Sequence, residues 1–320
     1  MKVLITGITG QDGIYLTKLI HENHKKYQII GISRKTNTSN YIKMLKINEF
    51  NANQNIKILN TDLLNFSEVH NLISNFKPNF VFNFSGPSSV YESIKIPKTE
   101  EIIKKIFENL TFSLIEDRNF CNFFQASSSE MFGKNEEKYY FNEEDEFKPN
   151  SPYAKGKYCN HKKVIELNLH YDWKIFSGII FNHESEYRKK EYLFMQLINS
   201  ALNISRGKQR KFNVGSINYV RDWSYAQEIV KGIYLLTLYG KENSYVLGSG
   251  VGTSINNLID TIFSSFNLEY KNHINIDESL LRKNDPIKII SNPEKINNEL
   301  GWKTELSVEN ICEKIINSIY

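Results

Sequence analysis

At 320 residues the chain can bury a large core, in two domains or one elaborated domain. Hydrophobic residues make up 40% and charged residues 24%, an ordinary globular composition, and the net charge of +4 is too small to argue for a nucleic-acid partner. Three widely separated cysteines, Cys121, Cys159 and Cys312, argue against a disulfide framework and for a reducing cytoplasmic compartment, and no apolar run suits a signal peptide or a membrane span.

Val3, Leu4 and Ile5 form an apolar, partly β-branched run that predicts a buried strand. Gly7, Gly10 and Gly13 follow at intervals of three. Beyond Gly13, Leu16, Leu19 and Ile20 recur at helical spacing, so a helix opens there. Strand, glycine turn and helix make the first unit of a dinucleotide-binding fold, in which glycines let the backbone approach a pyrophosphate seated on the helix N-terminus. Further strands are predicted over 27–33, 56–59, 79–83, 122–126, 174–181 and 245–247. Helices are predicted over 67–76, 100–116, 192–206, 223–239, 255–266 and 308–319. The alternation predicts an α/β protein with a doubly wound parallel (Rossmann) sheet and a smaller, partly interleaved C-terminal substrate domain. Residues 1–182 and about 217–250 are assigned to the dinucleotide-binding domain, and about 183–216 and 251–320 to the substrate domain.

Arg34 and Lys35 stand just past the second strand, where the adenosine ribose lies in such folds. Adjacent cations suit a 2′-phosphate, which favours NADP over NAD. Asp62, followed by Leu63 past the third strand, is placed either to accept from an adenine amino group or to shape a turn. Ser151-Pro152 reads as a helix start, and Tyr153 and Lys157 then share one face of that helix. The lysine's charge is expected to favour the phenolate and lower the tyrosine pKa, which suits a group that moves a hydroxyl proton. Ser127, Ser128, Ser129 and Glu130 end the fifth strand, where ligands bind in open α/β sheets.

These residues together resemble the extended short-chain dehydrogenase/reductase superfamily. The strings at 5–13 (Ile-Thr-Gly-Ile-Thr-Gly-Gln-Asp-Gly), 125–133 (Gln-Ala-Ser-Ser-Ser-Glu-Met-Phe-Gly), 151–154, 181–185 (Phe-Asn-His-Glu-Ser) and 221–223 (Arg-Asp-Trp) narrow the resemblance to the GDP-mannose 4,6-dehydratases, in a compact bacterial-type form. The resemblance implies hydride transfer from sugar C4 to a bound nicotinamide and back to C6. In that chemistry Ser128 binds the C4 oxygen, and Glu130 is the acid/base for the C5 proton and the departing C6 hydroxyl. Tyr153 is the C4-hydroxyl base and Lys157 its partner. On the cofactor side it implies Gly7, Thr9, Gly10, Gln11, Asp12, Gly13, Arg34, Lys35, Asp62, Leu63, Tyr153, Lys157, His183 and Arg188. On the substrate side it implies Ser88, Ser128, Glu130, Asn182, Arg221 and Arg282. A GDP-sugar substrate and a homo-oligomer, dimer or tetramer, are expected with them.

The match breaks at Glu186-Tyr187-Arg188-Lys189-Lys190-Glu191, where the family continues with Pro and a run of Arg, Gly and Glu, and at Gly86-Pro87-Ser88-Ser89, where many relatives have Gln before the Ser. Two alternatives stay open. A nucleotide-sugar 4-reductase or epimerase of the same superfamily does not need Glu130. A non-catalytic dinucleotide-binding regulator would typically lose Tyr153 or Lys157. His21 and His24 have no further ligand to complete a metal site, and the basic stretch 206–211 lacks stacking aromatics, so no metal, nucleic acid or membrane is expected.

Overall fold

A computed structural model describes residues 1–34, 55–96, 98–135, 137–281 and 285–319. Its strands are β1 (Lys2–Thr6), β2 (Gln28–Ile32), β3 (Ile56–Leu59), β4 (Phe80–Asn83), β5 (Asn122–Ser128), β6 (Tyr140–Phe141) and β7 (Ile175–Ile180), then β8 (Asn182–Glu184), β9 (Phe212–Val214), β10 (Val220–Tyr225), β11 (Ser244–Leu247), β12 (Gly252–Ser254), β13 (Ile274–Ile276) and β14 (Lys288–Ser291). Its α-helices are α1 (Gln11–Asn23), α2 (Phe66–Phe76), α3 (Val90–Lys95), α4 (Thr99–Glu116), α5 (Pro152–Tyr171), α6 (Leu193–Ser205), α7 (Ala226–Tyr239), α8 (Ile255–Ser264), α9 (Glu294–Leu300) and α10 (Val308–Ile319).

Seven strands form one all-parallel sheet in the order β11-β7-β5-β4-β1-β2-β3. Every residue of β4 and β7 is buried, as their unbroken apolar runs require once helices cover both faces. On one face Leu4, Val81, Phe123 and Ile175 pack with Phe107, Leu110 and Leu114 of α4 and Val164 and Leu167 of α5. On the other, Val3, Ile5, Phe82, Phe124 and Phe176 join residues of α1 and α7 in the larger core. The chain leaves β1 for β2 and β3 on one side and returns to β4 on the other, so a crevice opens at the C-terminal ends of β1 and β4. Among the described residues no helix is long and apolar enough to cross a membrane.

A second sheet runs β12-β10-β14-β6, with β8 also paired to β10. Here one expectation is corrected: the helix predicted from 223 starts at Ala226, because Val220–Tyr225 is a strand. Its register is set by partners from β8, β12 and β14, distant in sequence and invisible to local periodicity. Asp222, 1% exposed, sits at the centre of this sheet. Its carboxylate accepts the N–H and O–H of Ser249 (2.9 and 2.5 Å), the N–H of Gly250 (3.0 Å) and the N–H and O–H of Ser291 (3.1 and 2.5 Å). Replacing it by Ala strands these buried donors. Asp222→Ala is therefore expected to lose about 3 kcal/mol or more of stability, read in urea as a lower midpoint at unchanged slope.

Candidate active site

The helix α1 begins at Gln11 rather than beyond Gly13, so Gln11, Asp12 and Gly13 form its first turn. Gly7 holds φ +70°, and a Cβ on Gly13 would meet Ile8 Cα at 2.5 Å and the Gly7 carbonyl oxygen at 2.6 Å. The turn is tied to the neighbouring strand by the N–H groups of Gly7 and Ile8, which both donate to the Ile32 carbonyl (3.0 and 3.3 Å). Gly10, at the N-cap, contributes no capping side chain, so the positive end of α1 keeps its capacity for an anion. A tight turn that rejects Cβ atoms and ends in an uncapped helix fits a dinucleotide pyrophosphate. Thr9 Oγ1 meets Ser33 Oγ at 3.0 Å, and Arg34, exposed, follows at once. Asp62 is exposed and its Oδ1 accepts the Leu64 N–H at 3.0 Å, the turn-shaping arrangement. Leu63 is buried, and its carbonyl accepts from Asn109 Nδ2 at 2.8 Å. Lys35 and Arg282 lie outside the described residues.

Ser151 caps α5 by accepting the Ala154 N–H at 3.1 Å, with Pro152 in the first turn, and Tyr153 and Lys157 follow, 9% and 6% exposed. Lys157 Nζ donates to the Ala126 carbonyl at 2.7 Å and lies 5.7 Å from the Tyr153 ring centroid. Ser128 ends β5, accepts the Glu130 N–H at 3.3 Å and hydrogen-bonds Tyr153. Burial pushes the Tyr153 phenol well above its usual range. The Ser128 hydrogen bond opposes this, Tyr192 and the Glu130 carboxylate add to it, and the Arg188 charge opposes it. The expected lowering is thus corrected: desolvation outweighs the Ser128 hydrogen bond and the Arg188 charge that oppose it. Burial likewise pulls Lys157 down to about 8, partly offset by Asp12.

The strand β8 and the loop after it close over α1. Gln11 Nε2 donates to the His183 carbonyl and Gln11 Oε1 accepts from Ser185 Oγ, both at 2.9 Å. His183 Nδ1 lies 2.8 Å from the Phe181 carbonyl oxygen and Nε2 3.0 Å from Asp12 Oδ1. Burial alone would depress this histidine, but the Asp12 charge and hydrogen bond outweigh it and Arg188, leaving His183 above its ordinary value. Asn182 opens β8 opposite Trp223. Arg188 Nε pairs with the buried Glu184 at 3.2 Å, and its guanidinium stacks 3.6 Å from the Tyr192 ring centroid. The Tyr192 hydroxyl in turn meets Ser88 Oγ at 2.7 Å. Arg221 is buried; Nη2 donates to Asp285 (2.9 Å) and Nη1 to the Val220 and Ile287 carbonyls (2.9 and 3.4 Å), partners in and beside the second sheet.

Several participants were not legible. Tyr192 carries no motif, and its place over Arg188 is tertiary. The Tyr15 hydroxyl meets both Glu186 oxygens (2.7 and 2.8 Å) and the Tyr225 hydroxyl (2.6 Å), across more than 170 residues. Their aromatic and acidic character was readable; their convergence was not. The assembled group is a buried phenol beside a hydroxyl and within reach of a carboxylate's charge, with a lysine one helical turn away. Such a group can orient a substrate hydroxyl and move its proton.

The family described as GDP-mannose 4,6 dehydratase matches residues 4–315. "GDP-mannose 4,6 dehydratase 1" of Arabidopsis thaliana is 28% identical over 322 residues, 98% of this chain and 88% of the relative. Among solved structures, dTDP-glucose 4,6-dehydratase of Bacillus anthracis in complex with NAD superposes with TM-score 0.84 at 19% identity, covering 99% and 96% of the two chains. RMD of Pseudomonas aeruginosa complexed with NADPH superposes with TM-score 0.82 at 20% identity, covering 99% and 97%. At these identities the two structures show the shared fold.

A raised histidine pKa makes folding stability present below the unfolded value, about 6.5, and lost as pH climbs through the folded value. Asp12→Asn removes the lift and leaves burial. The His183 midpoint in an NMR titration is then expected to fall below about 6.5, and the stability loss above that pH to disappear. An unmoved midpoint would exclude the Asp12–His183 pair.

Proposed function

The chain belongs to the GDP-mannose 4,6 dehydratase family, and from that premise we propose that it is a nucleotide-sugar 4,6-dehydratase that uses NADP and acts on GDP-D-mannose. The observation that carries this reading is the approach of Ser128 and Glu130 to the single phenol of Tyr153. A reductase or epimerase has use for the phenol, the hydroxyl and the lysine. A dehydratase also needs a carboxyl group that can collect one proton and deliver it elsewhere on the sugar.

When bound, the nicotinamide dinucleotide supplies the redox chemistry, taking hydride from sugar C4 and returning it at C6, so that the net change is loss of one water. The residues of the chain do the rest. Ser128 and Tyr153 hold the C4 oxygen, and Tyr153 takes its proton as C4 becomes a ketone. Ser128 and Arg188 already oppose the burial that keeps the phenol protonated, and Lys157 Nζ lies 5.7 Å from the centre of its ring. The ketone acidifies C5–H. Glu130 removes that proton, C5=C6 forms as the C6–O bond breaks, and Glu130 protonates the leaving oxygen; as C6 gains hydride, C5 recovers a proton from solvent while the proton held by Tyr153 is released to solvent, so one water is lost in all.

The turn from Gly7 to Gly13, with Thr9, Gln11 and Asp12, receives the pyrophosphate. Arg34 with Lys35 takes the 2′-phosphate, Asp62 and Leu63 border the adenine, and Lys157, His183 and Arg188 flank the nicotinamide half. Ser88 and Asn182 face the sugar nucleotide. Arg221 and Arg282 take its diphosphate, Arg221 sharing its donors with Asp285.

Mass spectrometry of a nucleotide-sugar panel is expected to show loss of one water from GDP-mannose without net consumption of reduced nicotinamide; steady oxidation of NADPH instead would mean a reductase. Glu130→Gln is expected to lower kcat by roughly 10²–10⁴-fold, and full dehydration by this variant sinks its assignment. Arg34→Ala should weaken NADP by about tenfold, the loss of one charge-assisted contact, with NAD little changed; equal effects on the two dinucleotides would remove the basis for choosing NADP.

A further inference from the structure

Thr6, Asn83, Gln125 and Ser177 are in-register partners on the neighbouring strands β1, β4, β5 and β7. All four are essentially fully buried, on the sheet face that α4 and α5 cover with apolar side chains. A polar row in such a layer is costly unless every group is paired. Thr6 Oγ1 donates to Asn83 Oδ1 (2.6 Å), Asn83 Nδ2 to Gln125 Oε1 (2.8 Å), and Gln125 Nε2 to the Ala126 carbonyl (2.8 Å). The polarity of this row is set at one end. The Ser85 N–H reaches both Asn83 Oδ1 (3.3 Å) and Thr6 Oγ1 (3.2 Å), so the Asn83 amide turns its oxygen to β1 and its NH₂ to β5. Gln125 must then offer its oxygen to Asn83 and its NH₂ to Ala126. The same carbonyl oxygen accepts Lys157 Nζ at 2.7 Å.

We propose that Gln125 is a positioning residue for Lys157, acting through the Ala126 carbonyl to which both side chains donate, and that Thr6 and Asn83 decide which end of its amide faces that carbonyl. The proposal rests on Lys157 being a working group of the site, and it joins the strand that leads into the glycine turn to the lysine of α5. A second donor on one oxygen weakens its hold on an ammonium, and the positive end of the Gln125 amide faces the same region. Both effects favour neutral Lys157, in the direction burial already drives it. The other charges that bear on Lys157 are few. Asp12 reaches it from α1, and Tyr153 and His161 lie one turn to either side on α5. Glu130, on the turn after β5, is felt by Tyr153. The strands β5 and β7 carry no charged residue; near Lys157 the helix α4 meets α5 at Ile103 and the Glu100 backbone, and α3, also packed on α5, carries Glu92 and Lys95.

The test reads Lys157 directly, in full-length protein carrying ¹³C-labelled lysine, its resonance assigned by its absence in Lys157→Arg. Gln125→Met, of similar length but without the donor, is expected to raise the Lys157 titration midpoint by about half a pH unit, roughly threefold in proton affinity. Thr6→Val should move it the same way by less, and Thr6→Ser, which keeps the hydroxyl, should leave it in place. A folded Gln125→Met protein with an unchanged or lowered midpoint overturns the proposal. If that variant does not fold, equal midpoints in Thr6→Val and Thr6→Ser overturn it instead. No turnover is needed, so a chain that fails to dehydrate any nucleotide sugar refutes the functional reading and leaves this measurement standing.

Discussion

The bond from Lys157 to the Ala126 carbonyl is the constraint on which the site depends. It ties the first turns of α5 to the C-terminal end of β5, alongside the Ser128–Tyr153 hydrogen bond between the same two elements. With it in place, Ser128 lies two residues beyond the anchor and Glu130 four, and Tyr153 one helical turn before it. A directional bond in a buried, low-dielectric setting locates all of them at once.

Burial has the largest effect on the ionisable groups here. It raises Tyr153 and lowers Lys157, each toward its neutral form, and the charged partners nearby only moderate the effect. His183 is the exception, because Asp12 supplies both a charge and a hydrogen bond while Phe181 accepts the other ring N–H, so that both nitrogens face acceptors. Glu184 shows the opposite balance: burial raises it although Arg188 and His183 pull it down.

The loop at 186–191, where the family pattern breaks, is tied into its own chain. Glu186 receives the hydroxyls of Tyr15 and Tyr225, and Arg188 is held between Glu184 and the Tyr192 ring. Glu186 of this divergent stretch is thus bound to α1 and β10. The geometry around His183 and Asn182 is kept by Gln11 and Ser185, which lie in strings that do follow the family.

The amino-acid order by itself determined the central sheet, the glycine turn and the spacing of Tyr153 and Lys157, because each is a local matter of apolar runs, Cβ-free turns and helical periodicity. Residues 56–59 and 308–319 even carry the predicted bounds unchanged. The second sheet, the pairing of Arg221 with Asp285, the row from Thr6 to Gln125 and the convergence of Glu186 with Tyr15 were decided only by the tertiary structure. Each joins segments tens to more than a hundred residues apart. The direction of the Tyr153 shift belongs with them, since solvent exclusion is a property of the packed chain: a Tyr and a Lys four apart specify a shared face, and the layers around them specify how much water that face retains.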